Sequence, residues 1–177
     1  MSEKLPSREQ ALQLLRESKC SARVIKHCEA VARLAVETAQ AFRQKGLNVN
    51  IALVEIGALL HDIGRSRTHT VHHAVVGAEI AKSEGLPDSV VSIIKRHVGG
   101  GITSSEAEEL GWPRGDVYVP LTLEEKIVSY ADKLIEKSKR VPIEVTIKQL
   151  SRGLKPEAAE RVRKLHEEIT ALIGDQP

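Results

Sequence analysis

The sequence predicts an all-α protein with a single domain. Apolar residues recur three and four positions apart over most of the 177 residues, and this spacing lines one face of a helix. N-cap residues, glycines and prolines divide the pattern into segments of helical length. The strand-like segment 117–119 is too short to imply a sheet. We find no repeat and no interdomain linker, and one domain is expected for a chain of this length.

The first five helices follow from their end signals. Ser7, Ser21 and Asn50 have the side chains of N-cap residues, which accept a hydrogen bond from a free backbone N–H. Gly46 and Gly85 end the second and the fourth helix, because glycine adopts the left-handed conformation that follows a helix end. The expected helices cover about residues 7–19, 21–46, 51–63, 72–84 and 88–97.

A long loop is expected between the fifth and the sixth helix, over about residues 98–120. The glycine run 99–101 and the segment 111–115, GWPRG, enclose a short helix over 105–110. Long loops in compact domains are often functional, so this region is a candidate for substrate recognition.

The remaining helices also have clear start signals. Thr122 and Glu125 form a capping-box pattern for a sixth helix that runs to about Lys137. Pro142 and Pro156 precede two further helical segments. We therefore expect residues 141–177 to form a C-terminal helical extension.

The composition excludes several classes of protein. Hydrophobic residues make up 41% and charged residues 28% of the chain, as in a folded globular protein. The net charge of +2 gives no strong nucleic-acid signal. No apolar run resembles a membrane span or a signal peptide, so a cytoplasmic protein without membrane attachment is expected. Cys20 and Cys28 lack zinc-type spacing and are expected to be reduced thiols.

Five predicted helices each place an ionisable residue on their apolar face. Burying such groups without partners costs several kcal/mol each, which argues against a purely structural helical protein. If these side chains converge on a metal ion, the cost is removed, because imidazole and carboxylate are ligands for Fe, Mn, Co, Ni or Zn. One site with open positions and two metals bridged by a carboxylate both fit, and either suits hydrolysis of a phosphate ester. The residues concerned are His27, His61, His73, His97 and Asp132, with Asp62 adjacent to His61.

The order of these residues resembles the H…HD…D signature of the HD-domain metal-dependent phosphohydrolases. Residues 61–64 read HDIG, a variant of the central motif, and residues 73–78 read HAVVGA, similar to the H-x-x-x-G-A segment of members with two metals. The resemblance covers about residues 20–140 and implies a helical bundle. The pattern is similar to bacterial HD-type hydrolases that split dinucleoside tetraphosphates symmetrically, and to uncharacterised archaeal HD proteins.

The resemblance implies a ligand set for two divalent ions, with Fe or Mn preferred and Co, Ni, Zn or Mg as alternatives. Asp62 would bridge the two ions, and His73 and His97 would hold the second. The implied reaction is hydrolysis of a phosphate ester or anhydride in a nucleotide or related small molecule by a metal-activated hydroxide. The implied ligands of the first ion are His27, His61, Asp62 and Asp132.

The resemblance also indicates residues for catalysis and substrate binding. Arg65 follows HDIG and Lys133 follows Asp132, so both are expected near the substrate phosphate and, with Asp62, are assigned to catalysis. His72 and Arg96 are further candidates for substrate binding, and Lys95 could extend the same cationic mouth. His69 is expected at the surface, and His166 in a structural role.

Two alternative functions stay open on the sequence alone, as does homo-oligomerisation. The first is a cyclic- or dinucleotide phosphodiesterase, since GWPRG at 111–115 is similar to the GYP segment of HD-type cyclic-di-GMP phosphodiesterases. Those proteins usually have a histidine and a glutamate after the first histidine, whereas Val98 and Gly99 follow His97 here. The second is a metal-containing nucleotide-binding module with little turnover.

Overall fold

The structure, a computed structural model, describes residues 3–153 and 156–175. Within these ranges the fold is all-α, as the sequence predicts, with nine helices and one small hairpin. None of the described helices is both long and apolar enough to traverse a bilayer. The helices are α1 (Arg8–Glu17), α2 (Ala22–Gln44), α3 (Ile51–Leu60), α4 (His73–Ser83), α5 (Asp88–Arg96), α6 (Ser104–Glu109), α7 (Leu123–Lys133), α8 (Ile143–Arg152) and α9 (Pro156–Ile173).

The predicted N-caps form as expected. The side chains of Ser7, Ser21, Asn50 and Thr122 each accept a hydrogen bond from a backbone N–H in the first turn of their helix. At Ser7 and Thr122 the reciprocal bond of a capping box is also present. These local bonds fix where α1, α2, α3 and α7 begin.

The core is centred on α2, which packs against α3 and α7, while α4 and α5 pair beside α3. Aliphatic side chains fill it, and Phe42 is the largest fully buried residue. Val162, Leu165 and Ile169 of α9 belong to the same core cluster. Cys20 and Cys28 are both free and buried.

Helix α3 ends at Leu60, three residues before the predicted end, and a 3-10 helix over Ile63–Ser66 follows. The cause is close backbone contact between Gly64 and α4. A Cβ atom on Gly64 would lie 1.9 Å from the carbonyl oxygen of His73. Only glycine permits this approach, which brings the start of α4 against residues 61–64.

The predicted extension of the sixth helix to Lys137 is wrong. Helix α7 ends at Lys133, and a two-stranded antiparallel hairpin follows, formed by β1 (Ile135–Glu136) and β2 (Lys139–Arg140). Its turn holds Lys137 at φ 58°. Helical periodicity gives no sign of this reversal, because two-residue strands carry no readable alternation.

The long loop after α5 is ordered by a second, smaller core. It contains the short α6, close to its predicted position, and a 3-10 turn over Val98–Gly100. Trp112 and Tyr118 are both buried, with their rings 4.9 Å apart. The segment GWPRG therefore anchors the loop to α4 through Ala74, which belongs to the same cluster.

Replacing Gly64 should destabilise the protein severely. In Gly64→Ala the added methyl must displace either the α4 backbone or residues 61–64, and we expect a loss of about 3 kcal/mol in the free energy of unfolding. Urea denaturation followed by circular dichroism measures it. Gly153→Ala is the matched control, because its Cβ would meet the nearest backbone oxygen at 3.4 Å. Equal stability of the two variants would contradict the close approach.

Candidate metal centre

Six polar side chains from five segments of the chain converge at one place in the core. His27 projects from the second turn of α2, and Asp132 from the last turn of α7. The other four lie at or beside helix ends: His61 and Asp62 follow α3, His73 begins α4 and His97 follows α5. These are the six residues that the sequence analysis selected, and three overlapping groups of them have ligand atoms within 4.8 Å of one another.

The Asp62 carboxylate divides the cluster in two. Its Oδ2 lies 3.6 Å from Nε2 of His61 and 3.7 Å from Nε2 of His27. Its Oδ1 lies 3.1 Å from Nε2 of His73 and 3.4 Å from Nε2 of His97. Each oxygen therefore faces a different pair of imidazoles.

Asp132 completes the first of these two groups. Its Oδ1 lies 2.9 Å from Nε2 of His27 and 3.3 Å from Nε2 of His61. The first group thus has two imidazoles and two carboxylates, and the second has two imidazoles and the other oxygen of Asp62.

All four histidines are oriented by the backbone. A carbonyl oxygen accepts each Nδ1–H at 2.6 or 2.7 Å. Because a carbonyl can only accept, Nδ1 carries a proton and Nε2 faces the cluster, with a free lone pair when the ring is neutral. The acceptors are Lys137 for His27, Ala58 for His61, Thr70 for His73 and Ile94 for His97.

The Nε2 atoms need a cation to satisfy them. Nε2 of His61 is buried without any hydrogen-bond partner in the described part of the chain. Nε2 of His73 and Nε2 of His97 lie 3.1 Å apart. Because Nδ1 of each ring donates to a backbone carbonyl, the Nε2 lone pairs of both neutral rings face the same space. Nitrogen and oxygen donors arranged in this way fit divalent transition metals.

Burial and charge shift the pKa values of the cluster. Burial opposes the charged form of Asp62, but the neighbouring imidazoles of His61, His73 and His97 hold the Asp62 pKa well below its usual range. Burial likewise opposes the charge on Asp132, whose pKa is lowered by Lys133 and His27. Both carboxylates are therefore ionised at neutral pH.

The two cationic residues predicted next to the motifs contact the carboxylates. Arg65 donates from Nε to Oδ2 of Asp62 at 2.9 Å. Lys133 donates from Nζ to Oδ2 of Asp132 at 2.7 Å. Both cations lie at the edge of the cluster, where a substrate phosphate is expected.

A cavity of about 210 Å³ opens beside the cluster and is bordered by His27 and Asp62. Three cationic side chains line it, Arg23, Arg65 and Lys137, together with His69. Arg23 and Lys137 were not predicted from the sequence. Arg23 lies one helical turn before His27, so its position was readable from spacing, but Lys137 arrives only through the hairpin turn.

Two predicted substrate-binding residues lie outside the cluster and have structural partners. Nδ1 of His72 accepts a hydrogen bond from the indole of Trp112 at 2.9 Å. Arg96 donates to both carboxylate oxygens of Glu125, at 2.9 and 3.1 Å, and so fastens α5 to α7. Lys95 pairs with Asp116, and His166 contacts Tyr130 away from the centre.

Known proteins are similar to this chain over most of its length. The family model described as "HD domain" matches residues 24–136. An uncharacterised protein of Methanocaldococcus jannaschii is 47% identical over 167 residues, which cover 93% of this chain and 98% of that protein. A tRNA (cytidine(56)-2'-O)-methyltransferase of Thermoplasma volcanium is 43% identical over 170 residues. That match covers 96% of this chain but only 48% of the methyltransferase.

A solved structure shares the fold. The HD domain of the L. monocytogenes phosphodiesterase PgpH, in complex with cyclic-di-AMP, superposes with a TM-score of 0.56 at 19% sequence identity. The superposition covers 95% of this chain and 99% of that domain.

The metal-free protein should lose stability between pH 6.5 and pH 4. Burial lowers the pKa of His97 from 6.5 to about 4, so over this window the unfolded chain binds a proton that the folded chain does not. The expected loss is about 3 kcal/mol in the free energy of unfolding. The raised pKa of His61, which comes from Asp62 in spite of burial, adds stability that is lost only above pH 6.5.

Urea denaturation after chelator treatment, at pH 6.5 and pH 4.5, measures this effect. The comparison is between the natural protein and His97→Gln, in which the pH dependence should be much weaker. The same slope in both proteins would contradict a neutral buried His97.

Proposed function

Because this chain belongs to the HD-domain family of metal-dependent phosphohydrolases, we propose that its cluster binds two divalent ions and that it hydrolyses a phosphate ester or anhydride of a nucleotide. The observation that carries this proposal is the division of the Asp62 carboxylate. One oxygen faces His27 and His61, and the other faces His73 and His97. A carboxylate placed in this way suits a bridge between two ions.

The resemblance to HD proteins with two metals favours Fe or Mn as the ions. Four imidazoles and two carboxylates offer nitrogen and oxygen but no thiolate. So many imidazoles make Mg a weaker candidate, while Co, Ni and Zn suit the same donors and stay as alternatives.

Divalent ions at this place supply hydroxide near neutral pH and offset negative charge on phosphoryl oxygens. The protein supplies orientation and charge. Asp62 and Asp132 stay ionised, and the four backbone carbonyls keep the imidazoles aimed inward. Arg23, Arg65 and Lys137 present a cationic wall beside Asp62, which suits the oxygens of a terminal phosphate. Lys133 is the fourth cation at the centre, beside Asp132.

A cyclic- or dinucleotide phosphodiesterase is the second candidate. The likeness to the PgpH HD domain, which was solved with cyclic-di-AMP, favours it. The cavity beside Asp62 favours the first candidate, because about 210 Å³ walled by three cations suits a phosphate group better than a second nucleoside. A nucleotide-binding module with little turnover is the remaining alternative.

A hydrolysis screen tests the proposal. Nucleoside mono-, di- and triphosphates, dinucleoside polyphosphates and cyclic dinucleotides are incubated with protein reconstituted with Mn, Fe or Co, and released phosphate and nucleotide products are measured. Turnover of a nucleotide ester or anhydride that Asp62→Ala abolishes is the expected result. Cleavage confined to cyclic dinucleotides would favour the second candidate, and tight binding without turnover would favour the module.

Metal content should follow the two groups of ligands. We expect two ions per chain in the natural protein, about one in His73→Ala and almost none in Asp62→Ala, because only Asp62 belongs to both groups. Elemental analysis of reconstituted, desalted protein measures the ratio. His166→Ala is the matched control and should keep both ions, since His166 lies outside the cluster. One ion per chain in the natural protein would contradict the bridging arrangement.

Arg23→Ala should weaken substrate binding without affecting metal content. Loss of an exposed charge-assisted contact to phosphate is expected to raise KM by about tenfold and to change kcat little. Steady-state kinetics on the best substrate of the screen measures both parameters. Lys26→Ala, an exposed cation on α2 that does not line the cavity, is the control and should match the natural protein.

A further inference from the structure

A second cavity reaches the metal centre and shares no lining residue with the cationic cavity. Its volume is about 370 Å³, and it touches the centre at Asp132, whereas the cationic cavity touches it at His27 and Asp62. It lies between the 3-10 turn at Val98 and Gly99, the end of α7, β1 and one face of α8. The C-terminal extension thus forms one of its walls.

The two cavities differ in charge. The cationic cavity has Arg23, Arg65 and Lys137 against the single carboxylate of Asp62. Among the described residues that line the second cavity, Lys133 is the one cation; it is paired with Asp132, and Glu136 adds a further carboxylate. A phosphate group is therefore attracted to the first cavity and repelled from the second.

The lining of the second cavity suits a flat organic group with polar edges. Val98, Ile135 and Leu150 are half-buried and give the cavity apolar surface from the 3-10 turn, β1 and α8. The exposed amide of Gln149 makes no hydrogen bond within the residues that the structure describes. A glutamine amide presents one donor and one acceptor side by side, which matches the edge of a nucleobase.

We propose that the α8 cavity binds the nucleoside part of the substrate, with the base between Val98 and Leu150 and its edge on Gln149. This inference rests on the proposed nucleotide hydrolysis and adds the place of the leaving group. With phosphate beside Arg23 and the nucleoside beside α8, the scissile bond lies over Asp62 and Asp132. The C-terminal extension then determines which base the enzyme accepts.

The two halves of a nucleotide can be titrated separately to test this. The isotope-labelled protein is loaded with Zn, a diamagnetic ion that does not broaden NMR signals. It is then titrated by NMR with inorganic phosphate and, in separate samples, with adenosine, guanosine, cytidine and uridine. We expect at least one nucleoside to shift backbone amides of residues 98–99 and 146–150. Phosphate should instead shift amides near Arg23 and Arg65.

Substitutions should separate the two affinities. Gln149→Trp fills the cavity and should weaken nucleoside binding by about tenfold or more while phosphate binding is unchanged. Gln149→Ala should reduce the preference among the four bases. Arg23→Ala should weaken phosphate binding and leave nucleoside binding unchanged. Lys148→Ala, an exposed change on α8 outside the cavity, is the control.

The titrations involve no turnover, so the result is independent of hydrolysis. Nucleoside affinity that is unchanged in both Gln149 variants, or absence of any nucleoside-induced shift along α8, would overturn the α8 cavity and leave the hydrolase proposal intact. Separate phosphate and nucleoside responses in a protein that hydrolyses no nucleotide would support the cavity and contradict hydrolysis.

Discussion

The buried carboxylate of Asp62 is the constraint on which the rest of the structure depends. Only 4% of this residue is exposed, and an ionised carboxylate in an aliphatic core is unstable without close partners. The fold supplies four imidazoles, carried by or adjoining α2, α3, α4 and α5, and the Arg65 guanidinium. The packing of the bundle and the assembly of the centre therefore depend on the same helices, since those that surround Asp62 also enclose the core.

Helix ends explain how the histidines are held. The last carbonyls of a helix have no partner within it, and His61 and His97, at the C-terminal ends of α3 and α5, use such carbonyls of Ala58 and Ile94. His27 lies inside α2, where the carbonyls are already bonded, so its acceptor comes from the hairpin turn at Lys137. The hairpin that replaces the predicted end of the sixth helix thus orients His27 in the centre.

The two cavities beside the centre differ in chemical character. Three cations line the cavity at Asp62, while apolar surface, the Gln149 amide and the paired Lys133 line the cavity at Asp132. Helix α9 contributes to the main core and packs against α8, which in turn borders the second cavity. The C-terminal helices therefore couple the stability of the bundle to the shape of the second cavity, and they lie outside the region matched by the family model, 24–136.

The sequence by itself determined the all-α class, the N-caps at Ser7, Ser21, Asn50 and Thr122, and the six polar residues that meet in the core. These follow from bonds and periodicities that span three or four residues, so local sequence contains them. Only the tertiary structure decided how the oxygens of Asp62 are shared, where α3 must stop for Gly64 to meet α4, and which cations line the cavity. The reason is distance along the chain: the carbonyl that orients His27 is 110 residues away, and no local pattern encodes such a contact.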